Sequence, residues 1–238
     1  MNNLKDKVIY ITGGSKGIGY GIAQTLLQNG GQVAITSRNL QAAKKAAESL
    51  SADPSKVLAL QSDVSSMASE IAAVRAVVEH FGKLDVLVAN AGVGHFAAIE
   101  SLTEKDWRNT IDTNLTGVFN SVKASLEALK SSNGYIITIA SLAGTNFFEK
   151  GSAYNASKFG LVGFTQSIML DLRKYNIKVT TIMPGSVATE FADHKISEAD
   201  DWKIHPEDIG QLVLDLLNMH PRTLPSKIEV RPSKTGKS

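Results

Sequence analysis

Tyr154 and Lys158 stand four residues apart in Tyr154-Asn155-Ala156-Ser157-Lys158, and Ser141 lies thirteen residues upstream at the end of Ile137-Thr138-Ile139-Ala140. On a helix, residues i and i+4 share a face. A phenol and an ammonium would then enter the same space. An unperturbed tyrosine has a pKa of about 10 and is a poor acid-base at neutral pH. A nearby positive charge favours the phenolate, so Lys158 is expected to lower the Tyr154 pKa. Such a pair can give a proton to a carbonyl oxygen or take one from a hydroxyl. The spacing alone fits an ordinary helix with one exposed Tyr and one exposed Lys equally well, so the neighbouring elements must decide.

The strongest of these is near the start of the chain. Val8-Ile9-Tyr10-Ile11 reads as a buried strand. Thr12-Gly13-Gly14-Ser15-Lys16-Gly17-Ile18-Gly19 follows, and then a helical pattern of Ile22, Ala23, Leu26 and Leu27 that stops at Asn29-Gly30-Gly31. Val33 to Thr36 is the next strand. A glycine-rich turn between a strand and a helix is the setting of a dinucleotide site. Glycine lets the backbone come close to phosphates, and the helix start offers unpaired N–H groups. The spacing is Gly13, Gly17, Gly19, which departs from G-x-G-x-x-G. The second strand ends in Ser37-Arg38-Asn39 with no acid. An acid there would hold the ribose hydroxyls of NAD, whereas an arginine accommodates the 2′-phosphate of NADP. Arg38, with Lys16 as a second cation, therefore selects NADP(H).

The remaining elements continue the alternation. Strands are predicted over Val57–Leu60, Leu84–Val88, Tyr135–Ile139, Val179–Met183 and Lys227–Val230. Helices are predicted over Ala42–Leu50, Ile71–Phe81, Trp107–Leu129, Ala153–Tyr175 and Pro206–Leu217. The fold class is α/β: one domain over residues 1–238, with a seven-stranded, mostly parallel sheet covered by helices on both faces. Residues 186–205 are mixed and polar and read as a substrate loop; residues 232–238 form a basic tail.

Composition narrows the function classes. The 238 residues include 43% hydrophobic and 20% charged positions, which suits a domain with a sizeable core. There is no cysteine, so disulfides, thiolate catalysis and cysteine-rich zinc sites are excluded, and no metal site is expected. No apolar run is long enough for a membrane span, and the first residues lack the apolar core of a secretion signal; a cytoplasmic location is the expectation. A formal charge of +2 argues against a nucleic-acid partner.

Taken together, these residues resemble the short-chain dehydrogenase/reductase family from about residue 5 to residue 231. The resemblance rests on T-G-x-x-x-G-x-G at Thr12 to Gly19, Asn90-Ala91-Gly92 after the fourth strand, and Asn114-Leu115-Thr116-Gly117 in the long helix. It continues with Ser141, Tyr154 to Lys158, and Pro184-Gly185 followed by Val187 and Thr189. It implies a Rossmann-type doubly wound sandwich. It implies that Tyr154 is the general acid in reduction, that Lys158 holds the nicotinamide ribose, that Ser141 bonds the substrate oxygen, and that Asn114 continues a proton path. It assigns cofactor contacts to Gly13, Ser15, Lys16, Gly17, Ile18, Gly19, Ser37, Arg38, Asn39, Asp63, Val64, Asn90, Ala91, Gly92, Pro184, Gly185, Val187 and Thr189, besides Tyr154 and Lys158. Asp63 matches the adenine contact.

The substrate wall is expected from Gly94-His95-Phe96, from Leu142 to Phe148 and from the segment between Ser186 and about Asp201, with His95, Phe96, Leu142, Phe147 and Phe148 as candidate contacts. The aromatic residues lean towards a hydrophobic carbonyl, though packing or subunit contact would also explain them. The expected activity is an NADP(H)-dependent reduction of a ketone or 3-oxoacyl group. A sugar or polyol dehydrogenase and a non-catalytic NADP-binding sensor or scaffold are the competing readings. The resemblance further implies a homotetramer or homodimer.

Overall fold

The computed structural model describes residues 4–235. The last three residues of the basic tail, 236–238, lie outside them. The strands are β1 (Val8–Ile11), β2 (Gln32–Ser37), β3 (Val57–Gln61), β4 (Val86–Ala89), β5 (Tyr135–Ile139), β6 (Lys178–Pro184) and β7 (Lys227–Val230). They form one sheet in the order β3-β2-β1-β4-β5-β6-β7. Each of its six pairings is parallel, so the expected mostly parallel sheet is parallel throughout.

Burial on both faces explains why the strands read as unbroken apolar runs rather than as alternating ones. All four residues of β1 are buried. Ile9 and Ile11 join a core with Ile22 and Leu26 of α1 (Gly17–Gln28) and Ile209 and Val213 of α7 (Pro206–Asn218). Val8 and Tyr10 join the opposite core, with Val74 and Val77 of α3 (Met67–Phe81), Val118 and Val122 of α5 (Gly117–Ser132), and Leu161 of α6 (Ser152–Leu172). The remaining helices are α2 (Leu40–Leu50) and α4 (Glu104–Ile111). Strand order reverses between β1 and β4. In such sheets the ligand crevice opens beyond the carboxyl ends of the strands at that reversal. The Gly-rich turn after β1 and the Asn90-Ala91-Gly92 segment after β4 therefore meet.

The expected long helix over 107–129 is interrupted. α4 starts earlier, capped by the Thr103 side chain, and Asp112–Thr116 forms a π-helical turn before α5. A π turn admits one extra residue per bond, and periodicity in an apolar pattern does not register it. The helix predicted to run to Tyr175 becomes a 3-10 turn at Arg173–Tyr175, closed by Asn176 in a left-handed conformation. After β6, Val187 forms a parallel bridge to Ile204. Two 3-10 turns, Phe191–Asp193 and Glu198–Asp200, lie between them. Among the described residues no helix is long and apolar enough to cross a membrane.

Candidate active site

Four elements deliver the polar groups at the crevice. Asn114 sits in the π turn with no exposed surface. Its amide oxygen accepts from the Val93 backbone N–H (2.8 Å), and its nitrogen donates to the Val93 carbonyl (2.9 Å) and to Ser157 Oγ (3.0 Å). Ser157 donates in turn to the Tyr154 carbonyl at 2.7 Å. Asn114 thereby fixes the chain after β4 to the first turns of α6. Ser141, at the end of β5, accepts from the Ala143 N–H at 3.1 Å, which opens the turn Leu142–Gly144. Lys158 is buried and donates to the Ile139 carbonyl at 3.1 Å; its Nζ lies 5.6 Å from the centroid of the Tyr154 ring.

The electrostatics differ from the expectation. Burial pushes the Tyr154 phenol up to about 12, with the Ser141 hydroxyl pulling the other way. Burial pushes Lys158 down to about 8. The anticipated lowering of the tyrosine by the lysine does not occur in the protein alone. Both groups are desolvated, and the ammonium gives its hydrogen bond to a backbone carbonyl. At neutral pH the tyrosine is thus a protonated donor, and the lysine is close to its own titration.

The Gly-rich turn has the geometry a phosphate group needs. Gly13 has φ +65, and a Cβ there would lie 2.9 Å from Ala91 Cα. A Cβ on Gly19 would lie 2.5 Å from Asn90 Nδ2. Asn90 explains that closeness: its side chain donates to the carbonyls of Thr12 (2.9 Å) and Gly13 (3.1 Å). Among the described residues α1 has no side-chain cap, which leaves its first N–H groups for an anion.

One cavity of about 450 Å³ runs from this turn to Tyr154. It gathers Gly13, Ser15, Lys16, Gly17 and Ile18, then Ser37 and Arg38, Asp63 and Val64, and Asn90, Ala91 and Gly92. Pro184, Gly185, Val187 and Thr189 complete it with Ser141, Tyr154 and Lys158. The remaining expected contacts lie outside the lining. Gly19 packs under Asn90, Asn114 stands behind the wall, and the Asn39 side chain caps α2 by accepting from Gln41 and Ala42. Lys16 is paired with Glu190 at 3.5 Å, both exposed.

The substrate candidates divide. Phe96 and Phe148 pack at the Tyr154 ring, with centroids 5.4 and 6.5 Å away. Leu142 abuts Gly185, where a Cβ would lie 3.1 Å from Leu142 Cδ1. Phe147 is 85% exposed and points to solvent rather than to this cluster. His95 is turned to α4, bonded to Asn109 at 2.8 Å and 3.7 Å from Asp106. It is a loop-to-helix tie, for which its place in the sequence gave no cue.

The expected substrate loop, residues 186–205, does reach the cavity, through residues that the sequence did not single out. Phe191 lines the cavity and lies 5.8 Å from the Tyr154 ring. His194 and Lys203 line it too, and both bond Asp200, at 2.8 and 2.5 Å. Asn155 donates to the carbonyls of Ala143 (2.8 Å) and Asn146 (2.7 Å), which binds the Leu142–Phe148 segment to α6. Its position beside Tyr154 was the available signal. After Thr189 the mixed, polar composition marked the loop but not its ion pairs, whose partners are six and three residues apart in an irregular segment.

Comparison with known proteins agrees with this geometry. A family model described as short chain dehydrogenase matches residues 7–200. The trans-4-hydroxycyclohexanecarboxylate dehydrogenase of Sinomonas cyclohexanicum is 38% identical over 194 residues, covering 79% of this chain and 75% of that protein. An alcohol dehydrogenase from Thermococcus sibiricus, solved with 5-hydroxy-NADP, superposes with a TM-score of 0.90 at 28% identity, covering 98% of this chain and 99% of the other. A 3-ketoacyl-(acyl-carrier-protein) reductase from Brucella melitensis, solved with NADH, gives 0.89 at 25% identity over 97% and 99% of the two chains.

Proposed function

The chain belongs to the short-chain dehydrogenase family, and on that premise we propose that it is an NADP(H)-dependent oxidoreductase that reduces a ketone or 3-oxoacyl carbonyl. The described residues act as one catalytic domain. The observation that carries this reading is the convergence of Tyr154, Ser141 and Lys158 on one end of the cavity whose other end is the Gly-rich turn. The phosphate fit is supported by Gly13, where a side chain would collide with Ala91. Preference for NADP over NAD is supported by Arg38 in the lining at the end of β2. Similar solved proteins carry NADP analogues or NADH, and one of them is named as a ketoacyl reductase.

The chemistry the bound dinucleotide supplies is a hydride equivalent at its nicotinamide ring. The chain does the rest. Tyr154, protonated at neutral pH, donates its proton to the carbonyl oxygen as negative charge grows there. Ser141 gives that oxygen a second hydrogen bond. Lys158 holds the nicotinamide ribose, and Asn114 keeps the walls on either side in register. A phenol pushed up by burial rests protonated at neutral pH, which is the state that reduction draws on.

The test is consumption of NADPH, followed by absorbance, against a panel of ketones, 3-oxoacyl thioesters and sugars. Tyr154→Phe is expected to bind NADPH normally and to lose turnover by about a thousandfold or more. Near-wild-type turnover would end this mechanism. Assembly as a homodimer or homotetramer is supported by exposed Phe119 on α5 and Phe159 and Leu170 on α6. Light scattering that finds only monomer would remove it.

A further inference from the structure

Three phenylalanine rings pack around the ring of Tyr154. Phe96 lies 5.4 Å from the Tyr154 ring at 69°, Phe148 lies 5.7 Å from Phe96 at 58°, and Phe191 lies 5.8 Å from Tyr154 at 56°. The three phenylalanines come from three separate segments, the loop after β4, the turn after β5 and the segment after β6, and Tyr154 comes from α6. Sequence proximity therefore does not account for their meeting. Two features hold them in place. A Cβ on Gly94 would lie 2.6 Å from Phe191 and 3.0 Å from Phe96, so both rings rest on bare backbone. The Asn155 amide oxygen accepts from the Phe148 N–H at 3.4 Å, while its nitrogen holds two carbonyls of the same loop.

The rings are fixed, yet they are not buried. Phe96 is 45% exposed, Phe148 48% and Phe191 37%. Exposed aromatic surface around a proton donor is surface that a ligand covers. Tilted rings offer edges and faces to another ring in the arrangements aromatic pairs prefer. A ring-bearing ligand also surrenders fewer rotors on binding than an open chain of equal carbon count.

Resting on the reductase reading above, we propose that Phe96, Phe148 and Phe191 form a subsite for an apolar ring, and that the substrate is a ketone whose carbonyl is part of a ring or attached directly to one. The carbonyl oxygen reaches Tyr154 and Ser141, and the ring lies against the phenylalanines. A long flexible acyl chain is the poorer substrate.

The experiment compares acetophenone and cyclohexyl methyl ketone with 2-octanone, three methyl ketones of equal carbon count, at saturating NADPH. The expected kcat/KM ratio of ring to linear ketone is about tenfold or more in the wild type. It falls towards unity in Phe148→Ala and Phe191→Ala, with the loss concentrated in KM for the ring ketones. Phe148→Leu and Phe191→Leu provide the same comparison if an alanine variant does not fold, and NADPH binding by fluorescence reports an intact cofactor site. Equal rates on ring and linear ketones, or a ratio that survives both substitutions, overturns the subsite and leaves the reductase reading standing. Failure of every ketone to oxidise bound NADPH overturns the reductase reading and the subsite with it. A change in subunit number of Phe148→Ala or Phe191→Ala by light scattering makes the rings an interface and also overturns the subsite.

Discussion

Lys158 gives its hydrogen bond to the carbonyl of Ile139, at 3.1 Å, and only approaches Tyr154 at 5.6 Å from its ring centroid. The lysine is an anchored, desolvated cation before it is a partner of the phenol. Burial takes its pKa from the ordinary 10.5 to about 8. The folded chain then binds fewer protons than the unfolded chain between those values, so stability rises with pH across that window. Below about pH 8 the whole penalty is present, about 3 kcal/mol for a shift of this size, less what the Ile139 bond returns. Lys158→Met is therefore expected to abolish turnover and yet raise Tm at pH 7. Its advantage shrinks by pH 10, where the unfolded lysine also begins to lose its charge. Thermal unfolding at the two pH values measures this, and a gap independent of pH would contradict it.

Arg38 is expected to decide between the dinucleotides. It is exposed at the end of β2 and lines the cavity, and its own carbonyl is held by Gln61 at 2.9 Å, which fixes the backbone beneath it. Lys16 is less free, because Glu190 pairs with it. Arg38→Asp should lower kcat/KM for NADPH by about a hundredfold while improving NADH. Steady-state kinetics with both cofactors checks it; unchanged constants would place the 2′-phosphate against Lys16 instead.

Much of this site was legible because it is built from short motifs joined to regular elements. Strands buried on both faces read as apolar runs, and Gly13, Asn90, Ser141, Tyr154 and Lys158 sit at their ends or in the next helix. What the sequence hid was set by tertiary contacts. His95 has no local partner and finds Asn109 on α4. Asn39, a cofactor contact by resemblance, spends its side chain as the cap of α2. Phe191 follows β6 in a segment with no periodicity, where Ala192 takes a left-handed φ of 53. The Tyr154 pKa rises where spacing predicts a fall, because spacing on a helix shows which groups approach, whereas burial decides which charge state survives.

Asn155 is expected to matter for the loop that carries Phe148. It is 8% exposed and makes three hydrogen bonds to the 143–148 backbone. Asn155→Ala leaves the buried Ala143 carbonyl without its donor, at about 1–3 kcal/mol, and frees the Asn146 carbonyl as well. The melting temperature should fall and KM for the carbonyl substrate should rise, while NADPH affinity stays near normal, because the Gly-rich turn is far along the cavity. Calorimetry with NADPH titration separates the two effects, and equal loss of cofactor affinity would show a general collapse instead.

Asp200 ties together the segment after Thr189, several residues of which line the cavity. It is 5% exposed, and its carboxylate accepts from Lys203, from His194 and from the Ser197 N–H. Lys203 and His194 both line the cavity, as does Phe191 three residues before His194. The Lys203 bond, followed by the His194 and Ser197 bonds, holds the carboxyl well below the usual carboxylate range. A depressed pKa means that the contribution is present above the ordinary carboxylate pKa and is lost only as pH falls through the depressed value. The clasp therefore stays formed at neutral and mildly acidic pH. Asp200→Asn keeps the shape but removes the charge that pairs with Lys203 and that accepts from His194. Because the segment lies outside both apolar cores, Tm should move little. KM for carbonyl substrate and for NADPH should rise by about tenfold, and limited proteolysis should cut between Glu190 and Lys203 faster than in the wild type. Asp200→Glu should recover part of the KM if charge is the cause. A variant with wild-type KM and wild-type cleavage would mean that Phe191 is held in place without the clasp.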